Sequence, residues 1–217
     1  MKSFKNIIVI VLVVLCVITL SGCGSEEKEK IDYMVLVNKE HKLPDNWEEI
    51  VELVDAKDFE GGTIQVEKEA LDKFNELRAT LLEEGIEIEL DSVYRSVKRQ
   101  QEVWDQFLSE KGEEYTKKYV AVPGYSEHHT GLAIDICIKK DGKYIYDNDE
   151  MTAEKEIFSK IHSHLADYGF ILRYPEGKED ITGYGPEVWH FRYIKDVKAA
   201  KEIMSKGITF EEYLENK

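Results

Sequence analysis

The fold this sequence predicts is α+β: a single domain with a central antiparallel sheet and helices packed around it. Three observations predict it. Several segments set apolar residues at helical spacing, others alternate apolar and polar residues, and Asp141-Gly142 is a hairpin turn joining two such strands. The 217 residues are 42% hydrophobic and 11% aromatic, enough for a real core, and carry no repeats or low-complexity insertions.

The elements follow in chain order. Residues 1–22 read as an export signal: Lys2 and Lys5, then the apolar run NIIVIVLVVLCVITL, then small residues at the cleavage point. Leu20-Ser21-Gly22-Cys23 resembles a bacterial lipobox, which implies cleavage before Cys23 and lipidation of its thiol. The alternative is an uncleaved anchor, for which the apolar run is short. Residues 23–31 are small and charged, a flexible tether, and residues 32–217 form the domain. YMVLVNKEHKLPDNW is an apolar run ended by Pro44. From Val66 a helix is predicted through Leu71, Phe74, Leu77 or Arg78, Leu81 and Leu82, stopping at Gly85. IEIEL alternates Ile86, Ile88 and Leu90 against glutamates, a half-buried strand. Ser96 caps a second helix with Val97, Trp104, Phe107 and Leu108 on its apolar face. LAIDICIKKDGKYIYD is the hairpin, and a third helix spans Thr152 to Tyr168 before Gly169. GFILRYP and VWHFRY are strands. Asp196 caps a helix ending near Gly207, and Thr209 with Glu212 makes a capping box for a last short one.

Charge and cysteine content exclude several function classes. Removing the two lysines of residues 1–22 takes the net charge from −15 to −17, a surface that repels nucleic acid. No segment points to an obligate protein partner. Of three cysteines, Cys16 leaves with the signal and Cys23 is committed to lipid, so Cys137 has no partner for an intramolecular disulfide.

The chemistry concentrates in SEHHTGLAIDI, Ser126 to Ile136. Ala133, Asp135 and Cys137 share one strand face, and Ile134, Ile136 and Ile138 share the other, the natural core face. A carboxylate among apolar residues needs a partner, and a metal ion is one. Gly131 permits a tight turn that would bring a preceding histidine beside Asp135. In an extended segment His128 and His129 would point opposite ways, so one of them at most ligates.

The pattern S-x-H-x-x-G-x-A-x-D, met by Ser126, His128, Gly131, Ala133 and Asp135, resembles the signature of the VanY-type D-alanyl-D-alanine carboxypeptidases, zinc peptidases of the cell wall. The resemblance implies His128 and Asp135 as zinc ligands and leaves His129 a loop residue, solvated or hydrogen-bonded. ITGYGPEVWHFRY is similar to the family's second block, E-x-W-H, which implies Glu187 as base and His190 as third ligand; Val188 stands where the family usually has proline. Glu187 and His190 have opposite parity in a regular strand, so both can face one ion only if Glu187 lies in the loop before it. DSVYRSVKRQQ resembles the third block at Tyr94, Arg95, Ser96 and Gln100, with Val93 replacing the usual glycine. The implied set is catalytic Glu187 and Arg95, metal-binding His128, Asp135 and His190 for one Zn²⁺ per chain, and substrate-binding Ser126 and Gln100.

Each remaining candidate has an ordinary reading. Ser126 can be a loop cap and Gln100 helix surface. His162 and His164, two apart on a helix, do not share a face. His41 sits in a polar loop, Cys137 is a small buried thiol, and Trp189 is core packing. The expectation is a zinc D,D-carboxypeptidase releasing the terminal D-alanine of peptidoglycan stem peptides, extracytoplasmic and held to the membrane by a lipid anchor. An L,D-carboxypeptidase acting on tetrapeptide stems is the alternative, and a non-catalytic zinc-containing wall-binding module is a third reading. A D-Ala-D-Ala dipeptidase ranks below these, because its substrate is free and cytoplasmic.

Overall fold

The computed structural model describes residues 30–217. The export signal at 1–22, Cys23 and most of the 23–31 tether lie outside the described residues. Among the described residues no helix is long and apolar enough to cross a membrane.

The chain enters through an extended segment whose Tyr33, Val35 and Val37 pack on the core, then forms the short helix α1, Trp47–Ile50. Strands β1, Leu53–Lys57, and β2, Thr63–Glu67, make an antiparallel hairpin that the helical and strand periodicities did not reveal. The helix predicted from Val66 begins at Lys68, because Val66 and Glu67 complete β2. This helix, α2, runs Lys68–Glu83, and the Glu67 carboxylate caps it by accepting the Ala70 N–H at 2.8 Å. Ala70, Phe74, Leu77 and Leu81 form its buried stripe; Leu82, expected on that stripe, is 58% exposed.

Strand β3, Glu87–Ser92, leads to α3, Val97–Lys111, capped as expected by the Ser96 hydroxyl, which accepts the Arg99 N–H. The face predicted for α3 is corrected: Val97 and Leu108 are exposed, and the residue it buries is Gln100. Helix α4, Glu113–Tyr119, has no counterpart in the expected elements. Strands β4, Ala133–Lys140, and β5, Lys143–Ile145, form the hairpin, with Asp141 and Gly142 both at positive φ as its turn demands. The third expected helix is two, α5, Asn148–Ala153, and α6, Lys155–Leu165, broken at Glu154 and followed by a 3-10 turn to Tyr168. Strand β6, Phe170–Tyr174, helix α7, Glu179–Thr182, strand β7, Glu187–Tyr193, and helices α8, Val197–Lys206, and α9, Phe210–Glu215, complete the chain. Thr209 and Glu212 make the predicted capping box.

The main sheet runs β3-β4-β7-β6, antiparallel throughout, with β5 on the far half of β4. Ile134, Ile136 and Ile138 of β4 join Phe191 and Tyr193 of β7 in a core covered by Phe74, Leu77 and Leu81 of α2 and Phe158, Ile161 and Leu165 of α6. At roughly 1.5–3 kcal/mol per fully buried side chain, this face is the main stabilising feature of the domain. A second cluster, Ile171 with Ala199, Ala200, Ile203 and Phe210, seats α8 and α9 on the opposite face. What remains of that opposite face carries Asp135, His190 and Arg192.

Candidate active site

The sheet register builds the centre. Ser92 of β3, Asp135 of β4 and His190 of β7 are direct cross-strand partners, three residues in one row. Period-2 alternation puts Asp135 and His190 on the face away from the isoleucines. The His190 Nδ1 lies 2.9 Å from Asp135 Oδ1.

His128 arrives from a 3-10 turn, Glu127–Thr130, capped by the Ser126 hydroxyl, which accepts the His128 N–H at 3.3 Å. The segment is helical rather than extended, which corrects the reason for separating the two histidines but not the outcome. Gly131 closes the turn at φ +72°, where a side chain is strained. His128 Nε2 then sits 3.2 Å from Asp135 Oδ2, while its Nδ1 meets the Val93 carbonyl at 2.6 Å. His129 points elsewhere. Its Nδ1 meets the Arg95 carbonyl at 2.6 Å and its Nε2 accepts the Gly124 N–H at 3.0 Å, so it is buried and hydrogen-bonded, an anchor for the Arg95 main chain.

Glu187 is the first residue of β7, not a residue of the loop before it. The strand is not regular there, because the β6–β7 pairing is irregular. Leu172 faces Phe191, but Tyr174 faces Glu187, so three residues of β7 stand against one of β6. In this irregular stretch Glu187 reaches the centre, with Oε2 3.4 Å from His190 Nδ1.

Arg95 lies between β3 and α3 with its guanidinium fixed at both ends: Nη1 donates to Gln100 Oε1 at 3.0 Å and Nη2 to Ser92 Oγ at 3.1 Å. Gln100 in turn donates to the Ala121 carbonyl at 2.7 Å. Its reading as helix surface is therefore wrong; a buried amide that orients a guanidinium is the better description. Ser126 both caps the turn and lines the cleft.

The cleft holds about 240 Å³ and is lined by all seven expected site residues within the described chain: Arg95, Gln100, Ser126, His128, Asp135, Glu187 and His190. Sequence reasoning missed Asp91, Glu127, Tyr174 and Tyr184, which also line it; Trp189 packs against the core as expected and also borders the cleft. Asp91, Glu127 and Tyr184 lie inside the three motif blocks, the one signal the sequence offered for them; Tyr174 lies outside them. His162 and His164 stay outside, meeting the Val188 carbonyl at 2.8 Å and Glu84 at 2.9 Å. His41 Nδ1 lies 2.9 Å from Asn38 Oδ1. Cys137 is buried, and burial pushes its thiol up to about 12, the inert behaviour expected.

Electrostatics separate the roles. Burial pushes Glu187 up to about 7, with the Asp135 charge adding to it, so its carboxyl can exchange a proton near neutrality. Burial also carries Asp91 up to about 6, again with Asp135 contributing. Burial alone would lower His190, yet Asp135 and then Glu127 raise it to about 10. Burial works against the Asp135 charge, but His128 and His190 hold its carboxyl far below the usual range. Burial lowers His128.

Ligand atoms of His128, Asp135 and His190 lie within 4.8 Å of one another. Two ligands at 2.0–2.1 Å from a tetrahedral zinc are ~3.3 Å apart, close to the 3.2 and 2.9 Å observed. Asp135 Oδ1 is buried without a hydrogen-bond partner although His190 stands beside it, the mark of a pair facing a common third atom. Two imidazoles and one carboxylate leave a position open for water, the pattern of a catalytic rather than a structural zinc site.

Comparison with known proteins agrees with this geometry. Residues 63–196 match the family model for VanY, D-alanyl-D-alanine carboxypeptidase. VanXYC of Enterococcus gallinarum, a bifunctional D-Ala-D-Ala dipeptidase and D-Ala-D-Ala carboxypeptidase, is 40% identical over 82% of this chain and 91% of its own length. The LdcB LD-carboxypeptidase structure superposes with a TM-score of 0.73 at 38% identity, over 84% of this chain and 86% of that one. A mutant of the vancomycin-resistance D,D-pentapeptidase VanY, in complex with Zn(II), superposes with a TM-score of 0.69 at 30% identity, over 85% and 99% of the two chains.

Proposed function

The chain belongs to the VanY family of D-alanyl-D-alanine carboxypeptidases, and from that premise we propose that it is a zinc D,D-carboxypeptidase releasing the terminal D-alanine of peptidoglycan stem peptides. The observation that carries this is Glu187 beside the three-ligand centre: its carboxylate lines the same cleft with Oε2 3.4 Å from His190 Nδ1, and a base placed there has a use in turnover and none in mere binding.

His128, Asp135 and His190 hold one Zn²⁺. A zinc ion held there would supply Lewis-acid chemistry, polarising the scissile carbonyl and lowering the pKa of water at the open position from about 15.7 toward 7. Glu187 accepts the proton of the attacking water as the C–O bond forms and the carbonyl π pair moves onto oxygen; it then returns the proton to the nitrogen of the departing D-alanine, and the C–N bond breaks as the carbonyl re-forms. Arg95, held by Gln100 and Ser92, donates to the oxygen that gains charge in the tetrahedral transition state. A guanidinium already fixed in place needs little reorganisation at that moment. Ser126 binds the peptide from the cap of the His128 turn.

An L,D-carboxypeptidase acting on tetrapeptide stems is the second reading, favoured by the likeness to the LdcB structure. Mass spectrometry of pentapeptide and tetrapeptide muropeptides after incubation separates the two: the first reading predicts loss of one D-alanine from the pentapeptide, the second loss from the tetrapeptide. Export through residues 1–22 and a lipid on Cys23, with 23–31 as tether to the domain at 32–217, would set the enzyme beside membrane-proximal wall. A Cys23→Ala chain should leave the membrane fraction for the soluble one; retention in the membrane would contradict the lipid anchor.

A further inference from the structure

The carboxylate of Glu127 is 1% exposed, within the same turn that supplies His128. Its Oε1 accepts from Arg173 Nε at 2.8 Å and from Arg192 Nη1 at 2.9 Å, both from fully buried guanidiniums. Arg173 also pairs with Glu211 through two hydrogen bonds of 2.8 and 2.6 Å. Two carboxylates and two guanidiniums thus balance, and Oε2 of Glu127 is left over. It has no hydrogen-bond partner among the described residues, and neither has His190 Nε2. The two orphaned atoms face each other at 3.6 Å. An unmet buried acceptor opposite an unmet buried donor is costly unless they serve one another, and contacts in unliganded sites are often this loose.

We propose that Glu127 is a positioning residue for His190: its Oε2 accepts the Nε2 proton and so fixes the imidazole with Nδ1 toward Asp135, Glu187 and the metal position. The inference deepens the zinc reading above and rests on it. His128 receives parallel support from a neutral acceptor, the Val93 carbonyl at 2.6 Å. The two ligands therefore differ in their outer partners, and the charged partner makes His190 the more basic ligand. Arg173 on β6 and Arg192 on β7 aim Glu127, and Arg192 sits two residues after His190 on the same strand face.

The test compares Glu127→Gln with Glu211→Gln in the full chain. Both substitutions disturb the Arg173 pairing, but only Glu127 faces His190. Competition with a chromogenic chelator should show Zn²⁺ binding weakened ~10- to 100-fold in Glu127→Gln and within about twofold of wild type in Glu211→Gln. Equal weakening in both variants, or none in Glu127→Gln, overturns the proposal. If Glu127→Gln does not fold, the wild-type chain loaded with Zn²⁺ decides alone. Long-range ¹H–¹⁵N spectra should put the His190 proton on Nε2, and a proton on Nδ1 overturns the assignment. A wild type that holds zinc yet cleaves no muropeptide would defeat the function reading and leave this one standing.

Discussion

Glu187 and His190 are three residues apart, and the proposed function gives them opposite tasks, one exchanging a proton and one holding the ion. Replacing Glu187 with Gln removes the base while keeping shape, so kcat should fall by ~10²- to 10⁴-fold with zinc content unchanged. A variant that loses zinc in proportion to activity would make Glu187 a ligand instead. A second prediction concerns pH. His190 is raised to about 10 in the metal-free fold, from 6.5. A raised group binds more protons folded than unfolded, so its stabilisation is present below the unfolded pKa and lost as pH rises through the folded one. His128, His129 and His162, all lowered by burial, are already neutral above pH 7 and do not oppose it there. The melting temperature of metal-free protein should therefore fall between about pH 7 and 9. Zinc displaces that proton, so the rise in melting temperature on adding Zn²⁺ should grow over the same window. A flat metal-free profile would show that Asp135 and Glu127 do not hold the proton on His190.

Turns and strand irregularities deliver these side chains, and that is where sequence reasoning stops. At Gly131 a Cβ would meet the Glu67 backbone nitrogen at 3.2 Å and Leu53 Cδ2 at 2.7 Å, on a backbone at φ +72°. Gly131→Ala should destabilise the fold by ~1–3 kcal/mol and weaken zinc binding by displacing His128, read by thermal melts and chelator competition. Unchanged zinc affinity would mean that the turn does not set the ligand. Gln100→Ala removes the Nη1 acceptor of Arg95 and should lower kcat/KM by roughly tenfold or more through a looser guanidinium. A rate equal to wild type would show that Ser92 alone suffices. The candidate ligands His128, Asp135 and His190 were legible because the blocks that hold them resemble the VanY-type signature. That Glu187 stands beside His190 was legible from the resemblance, but the irregular β6–β7 pairing around it was not, because it leaves no mark on periodicity. Gln100 and Glu127 were misread or missed because polar residues on an exposed-looking helix and turn show burial only once their partners arrive from β3, β6 and β7.

At the scale of the whole molecule, the antiparallel sheet and its two faces could be read from alternation alone: the isoleucines of β4 mark one face as core and leave Asp135 on the other. The β1–β2 hairpin and α4 could not, because short elements with exposed residues carry too little periodicity to register. The sheet brings Ser92, Asp135 and His190 into a row from three strands, and two loops add His128 and Arg95 above it. This row, with His128 and Glu187, is the proposed zinc-dependent peptidase site. Incubating the purified chain with pentapeptide and tetrapeptide muropeptides, with zinc or with a chelator, tests it most directly by mass spectrometry. One D-alanine should be lost from a stem peptide with zinc present, with none lost under chelation and far slower loss in Glu187→Gln. Both muropeptides left intact by zinc-loaded protein, or cleavage that persists under the chelator, would contradict it.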